Sequence, residues 1–167
     1  MITRATRAMH QWRKERPDLD PFPMCVLGSL AEASLLINRD HLNPLIASNG
    51  LQSGEFDVLV TLRRSGAPFT LTPTELYETM MISSGGMTNR IDHLEKADLI
   101  ERRKHPTDRR GTLVALTDKG LSLINEIIVT HVENQKKVLR PLDQNEQQEL
   151  NRLLDKLLAG LDVSNDS

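Results

Sequence analysis

Between Met24 and about Asn43, the apolar residues Leu27, Leu30, Ala31, Leu35 and Leu42 fall at helical spacing and line one face of a helix. The same pattern joins Ala5, Ala8 and Trp12 into an N-terminal helix from Thr3 to about Glu15. Between them, "RPDLDPFP" holds three prolines, which cannot continue a helix. Pro44 is expected to end or kink the second helix, and "SNG" to close it. Another helix starts near Ser53, passes through Phe56, Leu59, Val60 and Leu62, and stops at "RRSG", where Gly66 supplies a left-handed cap. Near the end of the chain, Thr117 caps a long helix from about Asp118 through Ile124, Ile127, Ile128 and Val132 to Leu139. Pro141 breaks it, and Asp143 with Glu146 forms a capping box for a last helix bearing Leu150, Leu153, Leu154, Leu157 and Leu158.

The middle of the chain is patterned differently. In "LTPTEL", Thr72 takes the N-cap, Pro73 the first helical position and Glu75 the third, so a short helix runs to about Met81. "ISSGGMTNRIDHLEKADL" follows, with Ser83 or Ser84 as the next cap and the two helices about three residues apart. Met87, Ile91 and Leu94 form the apolar face of this second helix, which turns Thr88, Asn89, Asp92 and His93 away from it. "LIERR" and "TLVALT" are short β-prone runs flanking the basic "KHPTDRRG", which reads as a two-stranded hairpin with a charged tip. Short helix, turn, second helix and hairpin make a winged helix-turn-helix. The fold class expected is mainly α with a small β wing.

Composition narrows the class further. Aromatic residues make up 3% of 167, so the core rests on Leu, Ile, Val, Met and Ala, and a chain of this length suits one domain. No apolar run spans a bilayer and no secretory signal opens the chain, so the expectation is a soluble, cytoplasmic protein without membrane contact. Cys25 is the one cysteine, which excludes an intramolecular disulfide; a packing role is expected, with a redox-sensing thiol as the alternative. The five histidines, His10, His41, His93, His105 and His131, lack metal-ligand spacing, and neither a phosphate loop nor a nucleophile elbow is present. Neither an enzyme nor a cofactor is expected.

Charge is unevenly placed. The ten residues "RRKHPTDRRG", 102 to 111, hold five Lys/Arg and one acid, in a chain of net charge −2. A polyanion footprint is a patch rather than an average, so the total does not oppose a nucleic-acid partner. A helix about 10–12 Å across enters a major groove about 12 Å wide, while arginines on a hairpin tip reach the adjacent minor groove. The candidate DNA contacts are therefore Ser84, Gly85, Thr88, Asn89, Arg90 and His93 on and before the second helix, with Lys104, Arg109 and Arg110 on the wing. Asp108 is expected to organise one wing guanidinium, and Gly85 and Gly86, early in the helix, to admit a phosphate close to the backbone. Alternatively, Arg109 and Arg110 form a solvated turn, or the module binds a protein instead of a duplex.

The run "GMTNRIDHLEKADLIERRKHPTDRRGTLVALT" resembles the core of the MarR family of bacterial transcription regulators, over roughly residues 24 to 160. The resemblance implies a repressor of palindromic operator DNA, working as a homodimer whose terminal helices interlock. It divides the single domain 1–167 into an extra N-terminal helix (1–16), dimerisation helices (22–50 and 118–160) and a winged helix-turn-helix (53–117). Asp98 stands where the family pattern usually has Gly, and Asp tolerates the left-handed conformation needed there.

A narrower resemblance is to the urate-responsive, PecS-type subgroup, through Trp12 in "QWRKERPDLD", Asp57 in "EFDVLVTLRRSG", Arg90 in "MTNRID" and Arg102 in "IERR". Asp57 and Arg90 stand 33 residues apart, and Arg90 and Arg102 stand 12 apart. The resemblance implies a small-molecule effector, urate, held by these four residues. Urate is a planar purine, anionic near neutral pH, which suits a flat apolar wall and guanidinium donors. Asp57 is expected to pair with the arginines of the empty pocket. The rival readings are a sensor of phenolic or other aromatic acids, a structural Asp57–Arg90 pair, and Trp12 as a staple between helices.

Overall fold

The computed structural model describes residues 2–80, 86–107 and 111–162. Helix α1 (Arg4–Glu15) is capped by Thr3, whose side chain accepts from the Thr6 N–H. It packs on α2 (Phe22–Ile37). Of the two outcomes expected at Pro44, an end or a kink, the helix does not end there: it continues to Ser48, where "SNG" closes it as expected. A π-turn over Asn38–Leu42, closed by a bond from the Asn43 N–H to the Asn38 carbonyl, leads directly into α3 (Asn43–Ser48). A proline clashes with the carbonyl four residues earlier, and the wider turn relieves that clash without stopping the helix. Asn134 Nδ2 donates to the His41 carbonyl within this turn, at 2.7 Å. Gly50, at φ 74°, ends the segment.

Helix α4 (Ser53–Arg64) is the axis of the core. Phe56, Val58, Leu59, Thr61 and Leu62 are all buried along it, and a Gln52–Glu55 capping box opens it. Around it close α5 (Pro73–Thr79), α6 (Met87–Lys96) and α7 (Asp118–Leu139), which contribute Leu76, Ile91, Leu94, Ile124 and Ile127. The capping box at Thr72 and Glu75 is present, with the Glu75 N–H on Thr72 Oγ1 and the Thr72 N–H on Glu75 Oε2. Glu75's carboxyl is thereby held below its ordinary range. α8 (Gln144–Asp162) follows a third capping box at Asp143 and Glu146.

The sheet has three strands rather than two. β2 (Ile100–Lys104) and β3 (Thr112–Leu116) form the expected hairpin, with Arg102 opposite Val114. On the other edge of β3, β1 (Thr70–Leu71) pairs antiparallel, with Thr70 opposite Ala115. Two residues are too few for an alternating pattern to be visible. The strand lies where Phe69, at φ 57°, turns the chain and its carbonyl accepts from the Leu116 N–H.

The end of α6 is tied to the start of α7. Asp98 adopts φ 58°, the Leu99 N–H reaches the Leu94 carbonyl and the Asp98 N–H that of Glu95, closing the helix as a Schellman motif. Thr117 Oγ1 donates to the Asp98 carbonyl and accepts from the Gly120 N–H, while Lys119 Nζ donates to the Ala97 carbonyl. Gly120 allows this approach, since a Cβ there would stand 1.9 Å from the Leu99 carbonyl oxygen.

Candidate functional site

Helix α6 buries Ile91 and Leu94 and exposes Thr88, Asn89 and His93. This division follows from helical spacing, so the three polar side chains are available to a duplex. Ser84 and Gly85, with the wing residues Asp108, Arg109 and Arg110, lie outside the described residues. The N-cap expected at Ser83 or Ser84 falls instead on Gly86, at φ 80° with no side-chain cap bond, immediately before Met87. Gly86 therefore precedes the helix rather than lying early within it. Lys104 is exposed at the end of β2, and the hairpin continues past it through a bond from the His105 N–H to the Gly111 carbonyl.

Arg102 does not sit among the residues with which the sequence groups it. Its Nη2 donates to Asp92 Oδ1 at 2.5 Å, its Nη1 to Glu95, and its backbone N–H to Glu95 Oε1. The reason is local. β2 leaves α6 through the tight Asp98 turn and doubles back along it, so the wing's base lies beside acids on the same helix, one turn apart. Asp92, grouped above with the base-reading side chains, is thus engaged within the protein. The bond to Asp92, followed by the field of Glu95, raises the guanidinium's already high pKa and keeps it charged. Arg102 thus offsets one of the two negative charges that Asp92 and Glu95 place on this side of α6.

His93 faces the other way round α6. Its Nδ1 lies 3.3 Å from Glu55 Oε1, while Glu55 Oε2 accepts the Gln52 N–H that starts α4. Glu55 is buried, so α6 rests through this contact on the first turn of α4. A cleft of about 410 Å³ opens beside it, bounded by Leu51, Glu55, His93, Leu99 and Lys119.

Arg90 reaches the same turn of α4. A Cβ on Gly54 would stand 2.3 Å from Arg90 Nε, 2.5 Å from Cζ and 2.9 Å from Cδ, so the root of the guanidinium lies directly on this glycine. Asp57 is buried on α4 one turn farther along, at the spacing that shares a helix face with Gly54. Asp57 and Arg90 are thus brought to one side of α4. Trp12 is 43% exposed on α1, a helix that packs on α2. Cys25 is half-buried, its Sγ 4.0 Å from Thr6 Oγ1. Sequence reasoning overlooked Gly54 and Glu55; a helix-disfavouring Gly inside the first turn of an otherwise well-capped helix was the available signal.

Comparison with known proteins extends this geometry. Residues 51–112 match the model of the MarR family, a span from just before α4 to the first residue of β3. The chain is 42% identical to the HTH-type transcriptional regulator PecS of Dickeya dadantii over 146 residues, 87% of each protein. It is 34% identical to the HTH-type transcriptional regulator MhqR of Bacillus subtilis over 118 residues, 70% of this chain and 78% of that one. Among solved structures, Sco3205, a MarR family transcriptional regulator from Streptomyces coelicolor in complex with DNA, superposes with a TM-score of 0.72 at 26% identity. That match covers 81% of this chain and 85% of Sco3205.

Proposed function

The chain belongs to the MarR family of winged helix-turn-helix transcription regulators, and on that premise we propose that it is a repressor that binds pseudo-palindromic operator DNA as a homodimer and is released by urate or a related purine. The observation that carries the DNA part is the Arg102 clasp, which joins wing and α6 into one reading unit and offsets part of the acidic charge on its face. In this reading Thr88, Asn89 and His93 meet base edges or phosphates, Lys104 a phosphate, and the wing residues 108–110 the minor groove. Residues 53–117 form the reading module, and residues 22–50 and 118–160 join two copies. Two-fold symmetry then places the half-sites about one helical turn, roughly 10 bp, apart.

The ligand part rests on Arg90 and Asp57, which converge on one side of α4, with Trp12 as the flat wall. An incoming purine anion competes with carboxylate for Arg90, and a new partner for that guanidinium shifts α6 against α4 and out of register with its groove. Arg102 joins the ligand only by leaving Asp92 and Glu95, so Arg90 is the primary anchor. The opposition between ligand and DNA is reciprocal, with a coupling of roughly 1–3 kcal/mol.

Titration of palindromic DNA at several salt concentrations tests the first part. Affinity is expected to fall steeply as salt rises, because bound phosphates release their counterions. A flat dependence contradicts the DNA reading. Thermal shift with urate, xanthine and salicylate tests the second, since a ligand at 100 times its dissociation constant stabilises by about 2.7 kcal/mol. Urate is expected to give the largest shift; salicylate alone doing so would favour an aromatic-acid sensor.

A further inference from the structure

We infer that Gly54 is a positioning residue: its missing side chain is the seat on which Arg90 lies, and occupying that seat uncouples the arginine from α4 without harming the fold. The inference deepens the ligand reading and, for its functional consequence, rests on it.

The distances decide the matter. Ordinary contact between a Cβ and a neighbouring heavy atom begins near 3.4 Å, yet three successive atoms of the Arg90 side chain lie within 2.9 Å of where a Gly54 Cβ would stand. No rotation of a methyl group removes such a clash, so with alanine at position 54 one partner must move. The partner here is the far end of a flexible side chain. Gly120 provides the contrast, since its absent Cβ meets the rigid Leu99 carbonyl. At position 54 it is therefore Arg90 that yields, and α4 keeps its course.

Helix propensity sharpens the argument. Gly54 lies within the first turn of α4, where alanine is the better helix former. A residue chosen for the helix alone would not be glycine, so the guanidinium supplies the reason for it. Seated on Gly54, the arginine lies along the face of α4 that carries Asp57 one turn later. A methyl group at position 54 lifts the guanidinium root off that face and weakens any exchange of Arg90 between protein carboxylate and ligand anion.

The test is a double-mutant cycle on the full chain, with Gly54→Ala made in the native background and in Arg90→Ala, read as Tm. The substitution is expected to raise Tm in the Arg90→Ala background and to raise it less, or lower it, in the native one. Additive effects would overturn the seat. The functional arm measures the urate concentration that half-releases operator DNA, which Gly54→Ala is expected to raise at least about fivefold, the lower end of ordinary allosteric coupling. A non-additive cycle with an unchanged urate midpoint would overturn the seat's part in signalling. If the native protein itself ignores urate, the ligand reading fails, and the cycle alone still decides whether Gly54 seats Arg90.

Discussion

The winged module and the outer helices spend their apolar residues in opposite ways. Around α4, residues such as Leu59, Leu62, Leu76, Leu94 and Ile124 are fully buried within one chain. On α2 no residue is buried, and Leu27 and Leu35 are 58% and 60% exposed. α8 presents Leu150, Leu153, Leu157 and Leu161 as an exposed stripe at helical spacing and packs little against the rest of the described chain. Scattered exposed leucines need no explanation, but a stripe along a whole helix does. The core around α4 is closed within one chain, with Ile124 and Ile127 supplied by α7, whereas the exposed faces of α2 and α8 await a surface that the proposed homodimer supplies.

The largest effect expected is on assembly. Leu153→Glu with Leu157→Glu places charge on the α8 stripe. It should convert the protein to a species of 18.8 kDa by sedimentation, with operator affinity falling by orders of magnitude because two half-sites are no longer joined. Leu59→Ala sharpens the contrast from the other side. It removes a fully buried side chain from the module and should cost about 2–5 kcal/mol in denaturant unfolding, at any protein concentration. Gly120→Ala forces a methyl group against the Leu99 carbonyl and should cost roughly 1–3 kcal/mol, read as a lowered Tm, by wedging α7 off the end of α6.

Arg102→Ala is expected to change stability by no more than about 1 kcal/mol, because a partly exposed ion pair contributes little. Its effect on DNA affinity should be greater than its effect on Tm, since it frees the wing and leaves Asp92 and Glu95 uncompensated beside the phosphates. The smallest effect concerns pH. His131 is buried on α7 against the Phe56 ring, and among the described residues its Nδ1 has no hydrogen-bond partner. Desolvation lowers its pKa from the ordinary 6.5. The unfolded chain therefore takes up a proton first, so the contribution of this residue to stability is present above about pH 6.5 and is lost as pH falls through the lowered folded value. Urea unfolding between pH 7.5 and 5.5 should show His131→Phe losing less stability on acidification than the native protein.

What could be read from the sequence was whatever local chemistry decides. The boxes at Thr72–Glu75 and Asp143–Glu146 and the Thr117 cap each need only a few adjacent residues, and all three are present; the left-handed Asp98, expected from the family pattern, is present as well. β1 was hidden because two residues carry no period, and the π-turn because a proline inside a helix reads equally as a stop or a kink and does not specify a wider turn. Within the site, the outward face of α6 followed from spacing alone. The pairing of Arg102 with Asp92 and Glu95 did not, since it depends on how sharply β2 folds back along α6. Gly54 showed in the sequence only as a poor helix former and Gly120 not at all, because what a missing side chain makes room for is visible only once the other element is in place.

In the proposed switch, DNA and a purine anion draw on the same arrangement of α6 against α4. Fluorescence anisotropy of a labelled palindromic operator, titrated with protein in the absence and presence of saturating urate, tests it most directly. A five- to 150-fold loss of affinity with urate, reproduced by xanthine more weakly and abolished in Arg90→Lys protein that still binds DNA, is the result expected. Superimposable curves with and without urate would contradict it.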